Sequence, residues 1–442
     1  MARESLQEIA AACVQAARTA GAGEAAATTR RSRHVTVQWR DGQVEKVNEA
    51  TSRSVSLQLY VDGRYAQVAS SDLRPEGLES FISDSVMMTR SLSPDPYRSL
   101  PEPALYAGQA QVDLQLEDPC HATLTAAQRR DAAREIEEGA RAVTGAQAII
   151  SVSTGVDDTR SEAFRVASNG FQGERADTVF SRWAEVSVQD PDGRRPEDWD
   201  AASARFIGEL PPGREVGRRA AERALARVGS QKGASAVMTL VVHNRAAGHV
   251  VGALLGPLSG ASLQQQRSFL DGRVGQPVGS ALLDLADEPL VPRGLGSRLF
   301  DGEGLAAHRL PLFERGVLRN FYLDTYYAKK LGLPPTTGGA SNIAWTLGAR
   351  SCGELLSAAS DGIFVTGFLG GNSNATTGDF SLGIQGFRVR AGALAEPVAE
   401  MNMSGNLVEL LDHLVALGND PYAYSALQTP TLVFEGVQFA GA

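Results

Sequence analysis

Two Asp-Gly pairs near the start of the chain restrict its fold more than any other feature. "HVTVQW" and "VEKVNE" flank "RDGQ", and "VSLQLYV" and "RYAQVAS" flank a second "DG". Aspartate and glycine tolerate the positive φ angles of a tight hairpin turn, so alternating segments on either side of such a pair predict antiparallel strands. Helical patterns bracket these strands. Residues 4 to 20 carry an apolar stripe at Leu6, Ile9, Ala10, Cys13, Ala16 and Ala17, closed by Gly21. "RPEGLESFISDSVMMTRSL" returns to helical spacing from Pro75, and the proline-dense segment 93 to 108 reads as a linker.

The order then recurs. "LTAAQRRDAAREIEEGARAV" predicts a helix capped by Thr123 or Thr125. Four strand-like segments follow, "AIISVST", "SEAFRVAS", "QGERADTVF" and "WAEVSVQD", with turns at Asn169-Gly170 and Asp192-Gly193. Residues 211 to 229 close the unit as a helix, with proline at its start and glycine at its end. From about residue 230 glycine-rich short strands dominate. The expected class is α+β: two helix–strands–helix subdomains, 1–105 and 106–229, then a large β-rich C-terminal domain, 230–442. The repeated order suggests a structural duplication.

With 51 acidic and 42 basic residues the net charge is −9, which disfavours broad nucleic-acid or anionic-membrane binding. The basic patch "TRRSRH" (29 to 34) reads as a solvated strand entry. Cys13, Cys120 and Cys352 form no C-x-x-C pair, and the N-terminus lacks the unbroken apolar core of a signal peptide. Reduced thiols in a cytoplasmic protein are expected, without a membrane span.

The stretch "VVHNRAAGHVVGALLGPLSG" raises the question of a metal. Two helical ligands must stand three or four residues apart to share an ion. His243 and His249 are six apart, about 240° round a helix, and His243 falls at the end of the preceding strand. As a metal site the stretch fails. His34, His121, His308 and His413 each stand alone. "FDGEG" places Asp301 and Glu303 in a turn, either solvated or contributing to a cation site. In "GFLGGNSNATTGDFSLGIQGF" (367 to 387) the glycines, among them Gly371 and Gly378, allow close backbone approach. Asn372, Asn374, Thr376, Thr377 and Asp379 supply polar groups there. This loop is a tight double turn or a peptide- or partner-facing surface. It matches no phosphate-binding loop, and no G-x-S-x-G elbow occurs.

"AAGHVVGALLGPLSGASLQQQRSFL", "PRGLGSRLFDGEG", "RGVLRNFYLDTYYAKKLGL", "TTGDFSLGIQGFRVRAGALAEPVAEMNMSGNL" and "LGNDPYAYSALQTPTLVFEGVQFAG" together resemble the TldD/PmbA family, with the nearer likeness to its TldE (PmbA) branch. The resemblance spans the chain and is most specific in its C-terminal half. It implies a two-subunit metalloprotease that cleaves unfolded peptides, in peptide maturation and antitoxin degradation. The TldD-type subunit of such a pair carries His-Glu-x-x-x-His on a helix and a cysteine ligand near its C-terminus. Here His249 stands at the first place, Val250 follows it, Ala253 and Leu254 come where a second ligand is needed, and the last cysteine is Cys352. The implied role is a subunit without catalytic or metal-binding residues of its own, His249 being vestigial. It would bear no cofactor, with zinc on a TldD-type partner in a heterodimer or higher assembly. The small residues Ala246, Ala247, Gly248, Gly252, Ala253 and Gly256 would let this helix pack closely inside the subunit or against that partner. Two rivals stand beside this reading. One is a homodimeric regulatory or binding protein, in line with older descriptions of the family as a modulator of DNA gyrase. The other is autonomous hydrolysis around Asp301, Glu303 and the 370–379 loop.

Overall fold

The computed structural model describes residues 5–441, so Arg3 and Glu4 of the expected first helix lie outside the described residues. Helix α1 (Leu6–Thr19) starts at Ser5, whose hydroxyl accepts from the Glu8 amide while the Glu8 carboxylate accepts from the Ser5 amide. Strands β1 (Glu24–Arg40), β2 (Gln43–Val61) and β3 (Arg64–Ser70) follow, then helix α2 (Pro75–Thr89). The two Asp-Gly turns form as expected, with φ of 45° and 88° at Asp41 and Gly42, and 50° and 72° at Asp62 and Gly63. The second unit runs α3 (Ala126–Arg141), β4 (Ile149–Ala167), β5 (Gln172–Val188), β6 (Glu197–Ala204) and α4 (Gly213–Ala226). Thr125, not Thr123, caps α3, in a capping box with Gln128.

Three features depart from expectation. "VEKVNE" and "VSLQLYV" are one strand, β2, exposed from Gln43 to Ser52 and then alternately buried at Val55, Leu57, Leu59 and Val61. The four segments of the second unit likewise merge into β4 and β5, while "EDWDAASA" supplies the unforeseen β6. Finally, the two units share one sheet. Its order is β3-β2-β1-β4-β5-β6, with β1 antiparallel to β4 from Ala26↔Ala167 to Arg40↔Ser153. Helices α1 and α2 cover the first half, Ile82 of α2 packing in one cluster with Leu57 and Leu59 of β2, and α3 and α4 cover the second, Ile136 and Val216 packing with Val152 of β4. The basic patch lies inside β1, where Arg31 pairs with Glu162 and Arg33 with Glu49.

The proline-dense connection is pinned rather than free. Leu100 is buried, its amide donates to Glu24, and the Tyr106 hydroxyl sits 3.1 Å from Asn169 Oδ1.

The C-terminal part begins with β7 (Ala236–Val242), α5 (Asn244–Leu255) and α6 (Gly260–Gln264). Short strands β8 (Leu285–Asp287), β9 (Leu310–Glu314), β10 (Val317–Leu318) and β11 (Ile343–Trp345) alternate with α7 (Thr325–Leu331) and α8 (Cys352–Ala358). Longer strands β12 (Asp361–Ser373), β13 (Asp379–Arg390) and β14 (Ala393–Asn406) precede α9 (Leu407–Asp412). Strands β15 (Leu414–Leu417), β16 (Leu427–Gln428) and β17 (Leu432–Ala440) complete it. Strands β10-β9-β8-β11-β16 make one sheet and β14-β13-β12-β7-β17-β15 another. Pairing of β14 with β17, from Asn402↔Ala440 to Ser404↔Gln438, closes β7, β12, β13, β14 and β17 into a barrel. Its apolar lining includes Leu240, Ile363, Ile384, Met401 and Phe434. Arg205 joins the two halves: its guanidinium, 2% exposed, pairs with Asp177 and donates to the carbonyls of Gly294 and Leu295. Among the described residues no helix is long and apolar enough to cross a membrane.

Candidate functional site

Strand β7 runs down the barrel wall between β12, to which it is parallel, and β17, to which it is antiparallel. It delivers the chain directly into α5. His243 is the N-cap of that helix rather than the last strand residue, its Nδ1 accepting from the Arg245 amide at 3.3 Å. The inward face of α5 is Ala246, Ala247, Val250, Val251 and Leu254, all packed into the barrel-end core.

His249 falls on the opposite, exposed face and stacks on Phe368 of β12, with ring centroids 4.5 Å apart and planes at 24°. Partial burial lowers its pKa. Its helical neighbours at the ligand-sharing distances are Arg245, Ala246, Gly252 and Ala253, and the ring across from it is phenylalanine. These residues offer zinc one nitrogen where at least three protein donors are required; the donor set does not fit the metal. Among the described residues no three His, Cys, Asp or Glu side chains converge elsewhere to do so. Cys352 sits at the start of α8, against the cluster of Val241, Leu355 and Phe364.

Of the small residues of α5, Ala246 and Ala247 pack within the chain, whereas its exposed glycines do not. A Cβ added at Gly252 or Gly256 would meet nothing within 4 Å, and one at Gly248 would make only ordinary contact with Leu427. With His249, Gly252 and Gly256 form a smooth exposed stripe. Gly252→Ala is therefore expected to stabilise the isolated chain by about 0.5–1 kcal/mol through helix propensity alone. Chemical denaturation measures this; a loss of stability would show that something packs there.

Beside α5, β12 pairs with β7 only from Gly362 to Val365 and then continues to Ser373. Gly370 and Gly371, at φ of 114° and 117°, form a bulge against β13. Gly371 must stay glycine, since a Cβ would lie 2.1 Å from the Ser381 carbonyl oxygen. The following turn is knotted by its own polar groups. Asn374 Oδ1 accepts from the Thr376 amide, the Gly378 amide donates to the Asn374 carbonyl, and the Thr377 hydroxyl donates to Asp379 Oδ2 at 2.7 Å. Asn406 donates to Asp379 Oδ1 and to the Thr377 carbonyl. Hydrogen bonds from Thr377 and then Asn406 hold the Asp379 carboxyl below its usual range. The loop is a double turn whose outer side opens to solvent. Asn372 and Asp379 share an open depression of about 700 Å³ with Ser262, Gln265 and Arg267. Gly371, Thr377 and Gly378 shape the backbone behind it. The three residues from the α6 region lie more than a hundred positions away in sequence, and no local pattern announces them.

Asp301 and Glu303 are occupied by the chain itself. Asp301 Oδ1 accepts from the amides of Glu303, Gly304 and Leu305, and Oδ2 from Thr337. Both oxygens of Glu303 accept from Thr325, one from the amide and one from the hydroxyl. Burial raises the Glu303 pKa against those hydrogen bonds. The pair clamps the turn to the start of α7; it does not leave a carboxylate facing solvent or an ion.

Known proteins share this architecture throughout. Models of the PmbA/TldA metallopeptidase match domain 1 at residues 29–89, the central domain at 121–228 and the C-terminal domain at 235–441. Metalloprotease PmbA of Escherichia coli O157:H7 is 27% identical over 419 residues, spanning 92% of this chain and 90% of that protein. The PmbA homologue of Haemophilus influenzae is 26% identical over 99% of this chain and 96% of its own. A crystal structure from Bacteroides thetaiotaomicron, described as a modulator of DNA gyrase, superposes with a TM-score of 0.96 at 36% identity over the whole of both chains. TldE from Thermococcus kodakarensis shares the fold, with a TM-score of 0.84 at 20% identity over 98% of this chain and all of that one. The chain belongs to the PmbA/TldD metallopeptidase family.

Proposed function

We propose that this chain is the zinc-free, non-catalytic subunit of a cytoplasmic two-chain metallopeptidase that cleaves unfolded peptides with a TldD-type partner. The observation that carries the reading is helix α5, which presents His249 on an exposed face with no second donor at helical spacing. The names of the PmbA relatives support peptidase work by the assembly, while the donor set of this chain supports placing the zinc, its activated water and the general base on the partner. Beyond Val365, β12 offers backbone groups on its β7-facing side next to the bare stripe of α5. An extended peptide could add there as a strand, held through its main chain and hence with little sequence preference. Gly371, Asn372, Thr377, Gly378 and Asp379 lie at the far end of that strand and would meet the peptide or the partner.

Mixed with a TldD-type chain, the protein is expected to co-elute with it in size-exclusion chromatography, and chelator-sensitive cleavage of an unstructured peptide should require both. Separate elution with full cleavage by the partner alone would overturn the proposal. So would one tightly bound zinc per purified chain. A stable homodimer indifferent to the partner would favour a regulatory binding protein instead.

A further inference from the structure

A second cavity, of about 350 Å³, lies where α4 of the middle unit meets the N-terminal end of α5. It adjoins the proposed peptide edge at Thr366, the first residue of β12 past its pairing with β7, and extends from there towards α4. Arg219, Arg223 and Arg227 line it from successive turns of α4 and its C-cap, and Arg245 lines it from the first turn of α5. Their charge is incompletely matched. Arg219 and Arg223 both pair with Asp200. Arg245 reaches Asp198 only at 3.4 Å, its side chain is 4% exposed, and its buried Nε has no partner. Arg227 donates to the Glu197 carbonyl, which brings no negative charge. Glu222, also at the cavity, is turned to Arg218, which reaches it at 2.6 and 2.7 Å. With Glu215, which Arg218 and Arg219 share, the cluster sets five guanidinium groups (Arg218, Arg219, Arg223, Arg227 and Arg245) against four carboxylates (Glu215, Glu222, Asp198 and Asp200), and Arg227 is the one without a carboxylate partner.

The remaining lining fits the same ligand chemistry. His243 accepts at Nδ1 from the Arg245 amide, so its neutral ring carries the hydrogen on Nε2. Burial, then the fields of Arg223 and Arg245, push its pKa down to about 4, so the ring stays neutral and leaves the positive excess to the arginines. Thr366 adds a hydroxyl, and the amide end of α5 adds its partial positive charge. Phe364 and Phe387 form an apolar wall.

We infer that this cavity is a binding site for a small organic oxyanion, a phosphate or carboxylate, whose charged end faces Arg227 and Arg245 and whose apolar part rests on Phe364 and Phe387. Bound there, it would tie the middle unit to the barrel beside the peptide edge.

Isothermal titration of the full chain with inorganic phosphate and with phenyl phosphate tests this. Both are expected to bind saturably at millimolar concentrations or below, phenyl phosphate about tenfold tighter, and Arg227→Gln should weaken both by about tenfold. Thr366→Val, which leaves every ion pair intact, provides the same comparison should Arg227→Gln fold poorly. Equal affinity for the two probes would assign the site to inorganic phosphate, with the arginine cluster upheld and the apolar wall idle. No saturable heat with either probe, or unchanged affinity in both variants, would overturn the inference.

Discussion

Replacing Asp158 by alanine is expected to cost about 3–5 kcal/mol of folding stability, because it strands a buried cation. Asp158 is 2% exposed in the middle of β4. Arg129, 4% exposed, binds it through two parallel contacts, Nε to Oδ2 at 2.5 Å and Nη2 to Oδ1 at 2.8 Å. His121 Nε2 stands 3.0 Å from Oδ1. Without the carboxylate, the guanidinium keeps only the Leu124 carbonyl as acceptor. The pH dependence has a definite sign. Burial opposes ionisation of Asp158, but the paired hydrogen bonds from Arg129, with His121 close by, outweigh it and hold the carboxyl at about 2, below its ordinary 3.8. A depressed folded value means that the contribution, about 2 kcal/mol, is fully present above pH 4 and is lost as pH falls through about 2. Urea unfolding of wild type and Asp158→Asn across this range should show the gap between them narrowing in acid. A gap independent of pH would refute the assignment.

Gly217→Val should destabilise by about 3 kcal/mol or prevent folding, the largest effect expected of any uncharged substitution discussed. A Cβ at Gly217 would lie 1.8 Å from the Ile136 carbonyl oxygen, and one at Gly139 would lie 2.1 Å from that of Arg214. Helices α3 and α4 therefore cross with their backbones in contact, each through the other's glycine. Neither helix can retreat, since Ile136, Ala140, Val216 and Ala220 all pack into the same core with no exposed surface. Limited proteolysis and denaturant titration of the variant would reveal the loss. Wild-type stability in Gly217→Val would mean that α3 and α4 do not rely on this close crossing. The contrast with Gly252→Ala, for which a gain is expected, separates a glycine used for contact from one that is merely bare.

These two glycines also show where sequence reading stops. The run of small residues in and after α5 is conspicuous, yet a side chain at Gly252 or Gly256 would meet nothing, while Gly139 of α3 and Gly217 of α4 make the tight approach. Helical spacing records which residues share a face, not what that face meets. Local signals proved dependable because their causes are local: the hairpin turns demand positive φ, and Thr125-x-x-Gln128 closes a capping box within one turn. The spacing that leaves His249 without a second donor three or four residues away is a local property of the same kind. Strand β6 was not, because "EDWDAASA" has poor strand propensity and is held by distant partners, Asp200 by Arg219 and Arg223, and Asp198 by Arg245. The exposed half of β2 was split from the rest because no burial alternation marks it. The arginines of α4 stand four residues apart in plain view, but only the fold sets them opposite Arg245 and the two phenylalanines.

The seam between β1 and β4 carries one further implication. Its ladder joins Ala26–Arg40 to Ser153–Ala167, two stretches separated by the whole proline-dense connection. A protease that nicked that connection would leave two halves still clasped edge to edge. Separately expressed pieces ending and beginning there should find each other and rebuild the sheet. For the same reason the two units should melt in a single calorimetric transition, as neither can release its edge without baring the other's.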